Sequence, residues 1–103
     1  MIVRSWSGRA TAAGAESYII HFRRKVQPEL QRIPGHRGAM LLRRGAIDEI
    51  ELVVLTFWDS MASINEFAGI DVTRAVVEPE AKAVLKAFDT HVEHFDLVLD
   101  TRD

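Results

Sequence analysis

Four residues in this 103-residue chain have types and spacings that could do chemistry: Arg4 and Trp6 near the start, Trp58 in the middle and His94 near the end. His94 is the candidate titrating group, because an imidazole with an ordinary pKa of about 6.5 can accept a proton at neutral pH. The alternative is a histidine satisfied within its own strand, beside Asp96 on the same face. Arg4 and Trp6 are two apart and share one face of a strand. A guanidinium there can anchor an anionic or phenolate oxygen while the indole stacks on a planar ring. Against that stand an arginine paired with an acid from the second half of the chain and a tryptophan placed in a core or a subunit interface. Trp58 ends an apolar run just before a helix start, and packing alone accounts for a tryptophan there.

Other chemistries are excluded or disfavoured. With no cysteine, disulfides, thiolate zinc sites, iron–sulfur clusters and a catalytic thiol are all ruled out. His91 and His94 fall on opposite faces of a regular strand, and His21 and His36 lie on other elements, so no metal site is expected. His36, within PGHRG, reads as an exposed turn residue, and His21 as a flank of a helical stripe. Residues 1–44 hold nine Lys/Arg against two acids and residues 45–103 hold four against thirteen. The basic residues form no single stripe with interleaved aromatics, so attraction between the halves, within a fold or across a dimer, is expected and nucleic-acid binding is not.

These side chains have to be positioned by one domain covering residues 1–103, since a chain of this length has no room for a second core. Hydrophobic residues at 48% and charged residues at 27% suit a soluble globule. The opening MIVRSWSGRA lacks the apolar segment of a secretory signal, and no run approaches the roughly 18 apolar residues that span a bilayer. A cytoplasmic protein with no membrane partner is expected.

Residues 2–9 alternate as a strand. Ala15, Ile19, Phe22, Val26, Leu30 and Ile33 recur at helical spacing, with a kink or break predicted near Gln27 because of Pro28. Residues 39–44 and 50–58 read as two strands joined by the hairpin segment GAID. The second is apolar on both faces and calls for cover on both, most simply helices on one side and a partner subunit's sheet on the other. Asp59 and Ser60 start a helix carrying Met61, Ile64, Phe67 and Ala68, which Gly69 ends. Pro79 opens a last helix through Ala83, Val84, Ala87 and Phe88, and residues 91–99 alternate as a final strand. This β-α-β-β-α-β order is the ferredoxin-like α+β plan, an antiparallel sheet with helices on one face.

The opening MIVRSWSG, the turn and strand PGHRGAMLLRR, the stretch FWDSMASINEFAGIDVTRAVVEPE and the closing VEHF resemble the antibiotic-biosynthesis-monooxygenase family of the dimeric α/β-barrel superfamily, over nearly the whole chain. The resemblance implies a homodimer and a cleft faced by Arg4 and Trp6. It also implies a cofactor-independent monooxygenase acting on an aromatic or polyketide-like small molecule, with His94 as proton acceptor and Arg4, Trp6 and Trp58 shaping the pocket. The alternatives are a non-catalytic protein that binds a small hydrophobic ligand, or an assembly protein of the same superfamily. The haem-degrading branch of the superfamily is expected to show an asparagine on the first strand, a tryptophan ending the third and a histidine ligand on the next helix. Only the tryptophan matches: the sole asparagine is Asn65, and no histidine lies between Trp58 and His91.

Overall fold

The computed structural model describes residues 1–102. Strand β1 (Ile2–Ala10) turns Arg4, Trp6, Gly8 and Ala10 to a buried face and Val3, Ser5, Ser7 and Arg9 away from it. Thr11 then caps helix α1 (Ala12–His21), its hydroxyl accepting a hydrogen bond from the Gly14 amide at 3.1 Å. Of the kink or break expected near Gln27, the structure shows no break. Instead the helical path widens through one π turn (Phe22–Val26), in which the Gln27 amide donates to the Phe22 carbonyl. Pro28 thereby falls in the first turn of helix α2 (Gln27–Gln31), where a missing amide costs little.

Strands β2 (His36–Ala46) and β3 (Glu49–Trp58) form the expected hairpin, with Ala46 opposite Glu49 across a two-residue tip. Helix α3 (Met61–Ala68) starts at Ser60, whose hydroxyl accepts from the Ser63 amide at 3.2 Å. Helix α4 (Pro79–Val84) is shorter than its apolar pattern predicts. Ala87 and Phe88 leave it to form strand β4 (Ala87–Phe88), paired with Arg9 and Gly8 of β1. The final strand is also shorter than residues 91–99: β5 (Glu93–Asp96) pairs antiparallel with residues 2–5 of β1. Between β4 and β5 the chain leaves the ladder because the Trp6 indole takes the Asp89 carbonyl at 2.9 Å and the Val92 amide turns to Thr73 at 2.8 Å.

The sheet runs β2-β3-β1, with β4 and β5 sharing the other edge of β1, so the fourth strand of the ferredoxin-like plan is made in two pieces. The core lies between the helices and one face of this sheet, where Ile50, Leu52, Val54, Thr56 and Trp58 are all buried. On the opposite face Val53, Leu55 and Phe57 are only half-buried. The two oppositely charged halves meet within the fold: Lys25–Glu80, Arg37–Asp59 and Arg44–Glu51 are ion pairs between them. Each pair has at least one exposed side chain, so water and salt screen it and it adds little to stability. Among the described residues no helix is long and apolar enough to cross a membrane.

Helices α1 and α4 touch at Gly14, where a Cβ would overlap the Val84 carbonyl oxygen. Alanine in place of glycine ordinarily favours a helix by about 1 kcal/mol. Here the obstacle is backbone and cannot rotate aside, so overpacking at roughly 1–3 kcal/mol decides the sign. Gly14→Ala should therefore lower the unfolding free energy in urea. A variant as stable as the wild type would mean that the helices part easily at this contact.

Candidate functional site

The site is built around a buried cation. Arg4 stands on β1 between Thr56 of β3 and His94 of β5, and only 4% of it is exposed. Nη1 donates to the Val72 carbonyl at 2.6 Å and lies 3.1 Å from His94 Nε2, while Nη2 donates to the Arg74 carbonyl at 2.7 Å. The acidic partner that the sequence allowed is not among these contacts. Burial pushes the Arg4 pKa down to about 10, which leaves it charged at neutral pH. Because a guanidinium only donates, His94 Nε2 must be the acceptor, and His94 is then the neutral tautomer carrying its proton on Nδ1.

Around Arg4 lies a cleft between the sheet and helices α1 and α2, closed over by the segment joining α3 to α4. Arg4, Trp6, Tyr18, Phe22, Thr56 and Phe67 line it, and Val76 comes from the covering segment. The Trp6 and Tyr18 rings stack with centroids 5.7 Å apart, and the Phe67 ring centre is 5.8 Å from the Arg4 guanidinium carbon. Burial, and then the charge of Glu78, push the Tyr18 phenol up from its usual pKa, so it stays protonated. The remaining space is about 50 Å³, enough for a few waters at roughly 10–15 Å³ each.

Two of the four residues singled out in the sequence, Arg4 and Trp6, lie on the cleft wall. Trp58 keeps the strand phase of Ile50, Leu52 and Val54, and the one register shift between β2 and β3 falls on the β2 side, between His36 and Gly38. Its indole is fully buried behind the cleft, edge-on to His36 at 4.9 Å between ring centres and 5.8 Å from Phe67. It donates to Thr56 Oγ1 at 2.8 Å. His94 touches Arg4 but is not one of the lining residues.

Two lining residues escaped the sequence reading. Tyr18 is buried where Ile19 was expected, and the spacing Ala15, Tyr18, Phe22 carries that signal. Thr56, an inward polar residue in an apolar strand, already accepts from Trp58, which leaves its hydroxyl proton available to the cleft. A second groove, between α2 and β2, is lined by Gln27, Gln31, His36 and Arg37, but it is open and polar, and Arg37 there is bound to Asp59.

Two histidines make the fold sensitive to acid. His94 is held below the ordinary imidazole value by burial and then by Arg4, and His36 by burial. Unfolded, each returns to 6.5, so just below that pH the unfolded chain binds more protons than the folded one. The stability these groups contribute is present above 6.5 and is lost as pH falls through their folded values. Urea unfolding from roughly pH 7.5 to 5 should show this decline, and proton NMR should place both imidazole midpoints below 6.5. A His94 midpoint above that value would remove the Arg4 hydrogen bond from the account.

No family model matches the sequence, and no curated protein does. Solved structures do match in shape. MhuD, a haem degrader of Mycobacterium tuberculosis solved with two haems in its active site, superposes with a TM-score of 0.63 at 21% identity, over 99% of this chain and 100% of that one. An MhuD mutant with two manganese protoporphyrin IX molecules per active site gives 0.63 at 20% identity, over 100% of both chains. A Bacillus cereus protein assigned as an antibiotic biosynthesis monooxygenase gives 0.64 at 11% identity, over 99% of this chain and 97% of that one. At these identities the likeness is one of fold. The chain has the ferredoxin-like α+β fold of these proteins, as its resemblance to the antibiotic-biosynthesis-monooxygenase family implied.

Proposed function

We propose that the chain is a cofactor-independent monooxygenase that oxidises a small aromatic, polyketide-like molecule with dioxygen, acting as a homodimer in the cytoplasm. The observation that carries this reading is a buried guanidinium, held by carbonyls and an imidazole instead of a carboxylate, on the wall of an aromatic cleft. Such a cation attracts a phenolate or enolate oxygen, and the Trp6–Tyr18 stack and Phe67 offer flat faces for its ring. The fold likeness to an assigned antibiotic biosynthesis monooxygenase adds support by analogy.

The proposed chemistry needs only this chain's residues and oxygen. Ligand pockets usually measure about 300–1,000 Å³, so entry displaces the cover that carries Val72, Arg74 and Val76. The substrate oxygen then takes the place of the carbonyls on Arg4. As Nη1 turns to that oxygen, His94 Nε2 is released and takes the acidic C–H proton. Arg4 and Thr56 stabilise the enolate, and Trp58 holds Thr56 in place. The carbanion, formed at a CH2 carbon, adds dioxygen, the peroxide takes the proton back from His94 to give a hydroperoxide, and loss of water with the carbon's second hydrogen leaves a new carbonyl.

Haem, which MhuD binds, does not fit the residues here. Tyr18 is the one lining residue of an axial-ligand type, and its phenol is stacked on Trp6 and kept protonated, while the nearby His94 presents its Nε2 to the cationic Arg4. Binding of a small hydrophobic ligand without turnover is the second reading, favoured by the engagement of His94 Nε2 with Arg4.

Oxygen consumption with a panel of anthrones and hydroquinones separates the two. Metal-stripped wild type should turn over, Arg4→Met should lose roughly 10²–10³ in kcat, and His94→Ala about 10² or more. Quenching of tryptophan fluorescence without oxygen uptake would favour the binding protein; neither signal would overturn both readings.

The homodimer is supported by the half-covered sheet face, where Val53, Leu55 and Phe57 lie near the exposed Leu42 and Phe95. Sedimentation should find a dimer at micromolar concentration and a monomer for Leu55→Glu. A well-folded wild-type monomer would sink the proposal.

A further inference from the structure

We propose that His21, Glu78 and Glu80 bind a divalent transition-metal cation of the zinc class at the junction of α1 and α4. His21 is the last residue of α1, Glu78 the residue that caps α4, and Glu80 lies in the first turn of α4. One ligand atom from each, Nε2 and two carboxylate oxygens, lie within 4.8 Å of one another. His21 Nε2 and Glu78 Oε1 are 3.5 Å apart, close to the roughly 3.4 Å edge of a tetrahedron with bonds of about 2.1 Å. Glu80 must move inward by about an ångström, which its half-exposed side chain permits.

The cluster alone would be ordinary surface chemistry. What sets it apart is that the His21 side chain is nine-tenths buried and its Nε2, although 3.5 Å from Glu78 Oε1, makes no hydrogen bond. A buried ring nitrogen without a partner costs free energy unless something bridges it to its surroundings. A cation does so, and at the same time offsets the repulsion between Glu78 and Glu80. One imidazole and two carboxylates suit zinc, manganese or iron(II) better than calcium, which takes six or more oxygens. The fourth coordination position is left for water.

The sequence hides this site because its ligands are 57 residues apart and no histidine pair marks it. Its placement has a mechanical meaning. Glu78 follows Val76 of the cleft's cover by two residues, so a bound cation ties that cover to α1 beside Tyr18. The site stands independently of the proposed oxygenase chemistry.

Isothermal titration of zinc chloride into the full chain, treated with EDTA and dialysed, tests it without any aromatic substrate. One saturable site is expected, weakened about tenfold or more in both His21→Ala and Glu80→Gln. The Glu80 side chain is half exposed, so loss of binding in that variant reports on ligation and not on folding. Lys25→Ala should tighten binding, because Lys25 now holds Glu80 at 3.5 Å. His36→Ala and His91→Ala should bind as the wild type does. Absence of saturable binding, full affinity in His21→Ala, or equally tight calcium binding would overturn the proposal, whatever the oxygen assay shows.

Discussion

The arrangement of this protein depends on keeping one positive charge inside it. A guanidinium taken out of water is costly unless each face of it finds a partner. Arg4 finds the Val72 and Arg74 carbonyls and the His94 imidazole, from two segments joined to one another by a single antiparallel bridge between Arg74 and His91. Those bonds decide the course of the chain between α3 and α4, which has few regular hydrogen bonds of its own. The same bonds select the tautomer of His94. One side chain thus sets the cover of the cleft and the protonation state of its neighbour.

The cleft wall is assembled by short relays that place the polar atoms. Trp58 spends its indole proton on Thr56, and this leaves the threonine a donor. Trp6 spends its own on the Asp89 carbonyl, which breaks the last strand in two and fixes the ring against Tyr18. Both tryptophans are therefore fastened at their polar end, with their flat faces left for packing. The result is an apolar pocket with one cation and the hydroxyls of Thr56 and Tyr18, the sparse polar lining that orients a flat, oxygen-bearing guest.

Much of this was legible in the sequence where period and capping agree. The alternation of residues 50–58 grouped Trp58 with Ile50, Leu52 and Val54 but left its face open to a bulge at the strand end, and Ser60 marked the start of α3. Pattern failed where a side chain competed with the ladder. Nothing in the alternation of residues 91–99 reveals that the Trp6 indole claims the carbonyl of Asp89 just before them, and Ala87 and Phe88 fit the helical spacing as well as they fit a strand. Pro28 announced a disturbance, but not that one widened turn would absorb it. At the site, Arg4 and Trp6 were visible because residues two apart on a strand share a face. The bond between Arg4 and His94 depends on strand register, which 90 residues of separation conceal.

That separation bears on how the molecule is made. Arg4 leaves the ribosome well before its partners at 72, 74 and 94. Domains form as their chain emerges, at about 5–20 residues per second. The hairpin of β2 and β3 can be complete while the nascent chain still keeps Arg4 in water. The charge is fully enclosed only when β5 arrives on the free edge of β1, so the cleft is a late product of synthesis, and a chain cut short before residue 93 would carry the cation without its imidazole partner and with the first half of β1 unpaired on that edge.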